Sequence, residues 1–155
     1  MTFSRHMDIE AVVEDYDEEI GIEFSQYEHE NIRRALSHAV MVQYTFPNRF
    51  LCGGLALKLY GVIERNTFCD IDFVAFEKNV KDNEYISLKC KTPYAHCLFL
   101  GNYVKKGEMI QGIRLQDLDQ IIQWKIKFGR NKDMKDLKDY LDSQYFKEEE
   151  FLINL

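Results

Sequence analysis

Proline, tryptophan and long apolar runs are scarce in this chain, and each scarcity removes a class of protein. Two prolines among 155 residues exclude a proline-rich linker or a polyproline ligand. No stretch approaches the roughly 20 apolar residues that a membrane-spanning helix needs, and the opening MTFSRHMDIE lacks the apolar centre of a secretory signal. A soluble, cytoplasmic protein with no membrane partner is therefore expected. The four cysteines, Cys52, Cys69, Cys90 and Cys97, have no C-x-x-C spacing, which argues against a zinc ribbon or a disulfide framework and for small buried hydrophobes. His96 and Cys97 are neighbours in a strand-like run, so they point to opposite faces and do not share an ion. Positive charge is also short, with 20 Lys and Arg against 26 Asp and Glu for a net charge of -6. That balance disfavours nonspecific binding along a nucleic-acid backbone.

The basic residues that are present are concentrated. Lys125, Lys127, Arg130, Lys132, Lys135 and Lys138 fall in one short segment, a local patch suited to a polyphosphate. With 46% hydrophobic residues the chain can build one core of ordinary size. One domain over residues 1–155 is expected, with an acidic segment at 1–25, a sheet-containing core at 26–115 and C-terminal helices at 116–146.

Periodicity assigns the elements. Ile32, Ala35, Leu36, Ala39 and Val40 recur at three and four within Tyr27 to Tyr44, predicting an amphipathic helix ended by Pro47 and Asn48. Arg49 to Cys52 reads as a strand, Leu55 to Tyr60 as a helix and Ile71 to Phe76 as a strand, with a polar turn from Lys78 to Asn83. Ile86 to Lys91, Ala95 to Val104 and Met109 to Leu115 read as three further strands, the last two joined by a turn at Lys106 and Gly107. Asp117 and Gln120 resemble a cap for a helix from Leu118 to Phe128, closed by Gly129. Asn131 opens a last helix with Met134, Leu137 and Leu141 expected on its inner face. The order implies an α+β fold with one mixed sheet packed against helices. Trp124, Tyr140, Tyr145 and Phe146 are expected in the packing, and His29 and His38 are assigned no chemistry.

Asp-x-Asp occurs three times, at Asp15/Asp17, Asp70/Asp72 and Asp117/Asp119. The first lies in an unpatterned acidic run, and the last lies in the first turn of a helix, where acids suit the dipole. Asp70 and Asp72 differ, because strand alternation puts both carboxylates on one face with Ile71 on the other. Carboxylates that close repel unless a cation joins them, and Mg²⁺ is commonly held by one or two carboxylates together with substrate phosphates. Gly53 and Gly54 stand at a strand-to-helix junction, where backbone can approach a ligand and free N–H groups face an anion. Lys125 continues the inner stripe of Leu118, Ile121 and Ile122, so its ammonium is expected to reach an anion, either a carboxylate or a phosphate.

Gly53-Gly54-Leu55-Ala56-Leu57, then Arg65-x-Thr67 and Asp70-Ile71-Asp72-Phe73, resemble the signature of the polymerase-beta-type nucleotidyltransferases. The similarity is to the minimal branch containing abortive-infection (type IV) toxins and the lincosamide and aminoglycoside nucleotidyltransferases. It extends to Lys125, Arg130, Lys132, Asp133 and Asp136, and covers roughly residues 49–142. Phe68 and Cys69 place one residue more between Thr67 and Asp70 than the branch usually has. The resemblance implies a nucleotidyltransferase fold and Mg²⁺-dependent transfer of a nucleoside monophosphate from a nucleoside triphosphate to an RNA, protein or small-molecule acceptor. Asp70, Asp72 and Lys125 would be catalytic, with Asp70 and Asp72 holding Mg²⁺. Gly53, Gly54, Arg65, Thr67, Arg130, Lys132 and Asp133 would bind nucleotide. The branch commonly carries a third carboxylate on a later strand, for which Glu84 and Glu108 at strand edges are the candidates. A toxin with an antitoxin protein as partner, an antibiotic-modifying enzyme, and a degenerate module that binds a nucleotide or a protein are all compatible with the resemblance.

Overall fold

The computed structural model describes residues 30–68, 70–78, 86–90, 95–144 and 146. Helix α1 spans Glu30–Thr45, and its stripe of Ile32, Ala35, Leu36, Ala39 and Val42 is buried. Gln43 fastens this helix to the sheet: its side-chain amide donates to the carbonyl of Arg114 at 2.6 Å and accepts from the Arg114 N–H at 2.8 Å. A backbone donor and acceptor are thereby satisfied in the interior, where leaving either unpaired costs roughly 1–3 kcal/mol.

Strand β1 (Phe50–Cys52) runs directly into helix α2 (Gly53–Tyr60). Strand β2 (Asp70–Phe76) returns antiparallel beside β1. Strands β3 (Ile86–Cys90), β4 (Ala95–Gly101), β5 (Lys106–Ile110) and β6 (Ile113–Gln116) follow. The sheet order is β3-β4-β2-β1-β6-β5. β2 is parallel to β4 and β1 parallel to β6, whereas β3/β4 and β5/β6 are antiparallel. The fold is thus α+β with one mixed sheet, as expected. Leu51, Leu55, Leu57, Phe68, Ile71, Phe73, Ile113 and Leu115 fill the core, each such side chain contributing roughly 1.5–3 kcal/mol through burial.

Two expectations need correction. The turn between the last strands is at Gln111 and Gly112, not at Lys106 and Gly107, so the run from Met109 to Leu115 is a hairpin rather than one strand. Gln111 has φ 52° and Gly112 φ 78°, and this pair of positive values is what lets a two-residue turn match the twist of its strands. Lys106 and Gly107 instead begin β5, where Tyr60 Oη accepts from the Glu108 N–H at 3.2 Å and donates to the Gln116 carbonyl at 2.8 Å.

The second correction concerns the C-terminal helices. Helix α3 (Leu118–Phe128) begins as expected, with Asp117 accepting from the Gln120 N–H at 3.1 Å, and ends at the left-handed Gly129. Helix α4 spans Asn131–Leu141. Its inner face is Asp133, Asp136 and Tyr140, whereas Met134 and Leu141 are about half exposed, at 51% and 47%. Leu137 is half-buried and packs against the core. Two carboxylates turn inward because the buried Lys125 ammonium and the Arg65 and Arg130 guanidinium groups meet them there. Phe146 reaches back onto Tyr140, with ring centroids 5.8 Å apart at 77°. Tyr145, His29, Cys69, Glu84 and the acidic segment at 1–25 lie outside the described residues.

Candidate functional site

The junction between β1 and α2 sets the floor of the site. Cys52 is extended, at φ -132° and ψ -168°, and Gly53 turns the chain at φ 67°. No side chain caps the helix, and the positive end of its dipole lies at this junction. Both glycines are close-approach positions. A Cβ on Gly53 would collide with Asp72 Oδ2, and one on Gly54 would collide with Arg65 Nη2 and meet Phe68 at 3.3 Å. The Gly-Gly pair therefore lets one carboxylate and one guanidinium lie flat on the backbone.

Sheet register supplies the next layer. Cys52 on β1, Asp72 on β2 and Cys97 on β4 are cross-strand partners in one row, and partners in a row share a face. Asp70 is exposed at the start of β2 and Asp72 is half-buried. Burial, and then the neighbouring Asp70, push the Asp72 pKa above its ordinary 3.8; Lys132, Lys125 and a hydrogen bond from the Cys97 thiol pull the other way. Burial, followed by the Asp72 charge, raises the Cys52 thiol well above its usual range, which disfavours the thiolate. Both cysteines are free and buried, as their apolar setting predicts.

A cavity of about 210 Å³ opens over this row. It is lined by Gly54, Arg65, Thr67, Asp70, Asp72, Lys125, Arg130 and Lys132, together with Phe68. Eight of the ten residues singled out in the sequence thus meet at one place. Gly53 lies against Asp72 from below. Asp133 is fully buried behind the cations.

The cationic wall is held by the carboxylates of α4. Lys125 Nζ is 2.9 Å from Asp136 Oδ2 and 3.3 Å from Asp133 Oδ1. Arg130 Nε donates to Asp133 Oδ2 at 2.7 Å, and Arg65 Nη2 donates to Asp136 Oδ2 at 3.1 Å. Lys125 is only 8% exposed, so its predicted anion is this carboxylate pair. Burial works to raise the Asp133 pKa, but Arg130 and Lys125 outweigh it and hold the carboxyl below its ordinary range. The Arg65 guanidinium also lies 4.8 Å from the centroid of the Phe68 ring.

Mg²⁺ suits this donor set. Asp70 and Asp72 offer hard oxygen donors, and the upward shift of Asp72 marks a carboxylate whose charge a cation would relieve. Among the described residues no group of three or more His, Cys, Asp and Glu is placed to hold a metal ion. Glu108 is exposed on β5 at the far edge of the sheet and does not line the cavity. The place beside Asp72 on β4 belongs to Cys97.

The chain matches no protein-family model, no curated protein and no solved structure.

Sequence reasoning missed Cys97 and Phe68 as neighbours of the site, and it placed Asp136 in the C-terminal motif without giving it a role there. Asp136 had a signal, since it is one helical turn from Asp133 and faces the same way. Cys97 had none, because its place depends on pairing between distant strands. A larger groove of about 330 Å³ lies between α3 and α4, lined by Ile126, Met134, Leu137, Lys138, Tyr140 and Leu141. It is apolar and holds no carboxylate, so it offers no comparable chemistry. No helix among the described residues is long and apolar enough to cross a membrane.

Proposed function

We propose that the chain has a nucleotidyltransferase fold and transfers a nucleoside monophosphate from a nucleoside triphosphate to an RNA, protein or small-molecule acceptor. The observation that carries this reading is the convergence of an acid pair and four cations, Arg65, Lys125, Arg130 and Lys132, on one cavity at a glycine-lined helix start. Cations alone would suit any anion, and carboxylates alone any cation. Their combination suits a polyphosphate that arrives with a divalent metal.

Asp70 and Asp72 would hold Mg²⁺, which when bound supplies charge neutralisation along the phosphate chain. Arg65, Arg130 and Lys132 bind phosphate oxygens from the rim. The backbone N–H groups at Gly53 and Gly54 receive the terminal phosphates, which helix dipoles favour. Lys125 acts from within, its ammonium shared between the α4 carboxylates and the phosphate charge that develops during transfer. Thr67 contributes a hydroxyl donor at the cavity wall, and Asp133 keeps Arg130 and Lys125 aimed inward. A toxin countered by an antitoxin protein is the biological setting we favour within this reading, and growth arrest on expression, relieved by Asp70→Asn/Asp72→Asn, is its test.

The direct test is calorimetric titration of ATP, GTP, CTP and UTP with and without Mg²⁺. Metal-dependent binding of at least one nucleotide, lost in Asp70→Asn/Asp72→Asn, is expected. Absence of binding by all four would sink the enzyme reading. A second reading, a degenerate fold that binds nucleotide without transfer, is favoured by one feature: Cys97 stands beside Asp72 where a further carboxylate would complete the metal site. Nucleotide binding with no labelled acceptor in a cell extract would favour it.

A further inference from the structure

Arg65 reaches the cavity from the loop between α2 and β2, and its side chain is 43% exposed. A long side chain that open to water normally samples many rotamers, and ordering it on ligand binding costs about 1.5–2 kcal/mol. Here it is already held. Asp136, 2% exposed, accepts from Arg65 Nη2 at 3.1 Å, the Phe68 ring lies beneath the guanidinium at 4.8 Å, and Gly54 leaves no Cβ to displace it.

We infer that Asp136 is a positioning residue that aims Arg65 at the phosphates before any ligand arrives. This rests on the nucleotide reading of the cavity and adds a residue to it. Asp136 does not line the cavity; it acts through the cations that do. Its second partner, Lys125, is also held by Asp133 at 3.3 Å, whereas Arg65 ion-pairs with Asp136 alone among the described residues. Loss of the Asp136 charge therefore leaves Lys125 with Asp133, and Arg65 with no ion-pair partner among the described residues.

The test is a double-mutant cycle on binding, with Mg²⁺ and the tightest-binding of ATP, GTP, CTP and UTP as probe. Asp136→Asn and Arg65→Ala should each weaken binding about tenfold, and the double variant should bind within about threefold of Arg65→Ala, because residues acting as one unit are not additive. Additive losses, near a hundredfold, would overturn the inference while leaving the nucleotide reading intact. No binding by wild type would remove both. Should Asp136→Asn fail to fold, the ligand-free wild type still decides: an Arg65 Nε–Hε order parameter above about 0.7 supports preordering, and a lower value overturns it.

Discussion

Replacing Gly53 by alanine tests whether the glycine is present for its backbone or for the carboxylate beside it. Two terms enter. An L-residue at φ 67° is strained by about 1–2 kcal/mol. The new Cβ would also strike Asp72 Oδ2 and lie 3.1 Å from the Asp72 Cβ and Cγ, forcing that side chain off its rotamer for about 0.5–1.5 kcal/mol more. The expected loss is about 2–3 kcal/mol. Gly112 is the control, because it has φ 78° and nothing within 4 Å of an added Cβ. Gly112→Ala should lose only the backbone strain, about 1–2 kcal/mol. Urea unfolding gives both values, and titration with Mg²⁺ and nucleotide gives the functional half. Gly53→Ala should bind at least about tenfold more weakly, and Gly112→Ala as wild type does. Equal stability losses with unchanged binding in both variants would refute the argument that Gly53 makes room for Asp72.

Lys125→Met should lower stability by about 2–3 kcal/mol in urea unfolding, somewhat below the about 3–5 kcal/mol typical of a broken buried pair, because Asp133 retains Arg130 and Asp136 retains Arg65. The same variant should weaken triphosphate binding more than monophosphate binding, and equal weakening would remove Lys125 from phosphate contact. The pH dependence follows from two carboxylates whose pKa values shift in opposite directions. The Asp72 pKa is raised by burial and by Asp70, so its contribution to stability is full below the ordinary 3.8 and is lost as pH rises through the raised value. Asp133 is lowered, and its contribution holds above the ordinary value and is lost as pH falls through the lowered one. A bound cation favours ionised Asp72, so the rise in melting temperature produced by Mg²⁺ should grow with pH through the Asp72 titration. A pH-independent rise would place the metal elsewhere.

Much of the site was readable in the sequence because its rules are local. Alternation placed Asp70 and Asp72 on one face of a strand, the order of glycines and helix marked the close turn from strand to helix, and the stripe of α3 put Lys125 inside. The inner face of α4 was misread for a physical reason. Apolar spacing pointed to Met134 and Leu141, but burial of Asp133 and Asp136 is decided by cations on other elements, and no periodicity records a charge pair across the fold. The hairpin at Gln111 and Gly112 was missed because glutamine is uncommon at positive φ. Cys97 beside Asp72 is a consequence of register, which becomes visible only when strands pair.

The parallel pairing of Leu51 with Leu115 joins positions 64 residues apart, and it bears on when the site comes into being. Non-local pairings form late, since chain closure must be met before the contact is gained. The cavity draws one wall from Gly54 to Asp72 and the other from Lys125 to Lys132, on either side of that closure. A growing chain that has made β1, α2 and β2 holds the acid pair and Arg65 but lacks Lys125, Arg130 and Lys132 opposite them. Assembly of the cationic wall is therefore tied to completion of the domain, and a partly folded molecule presents an acidic strand rather than a closed cavity.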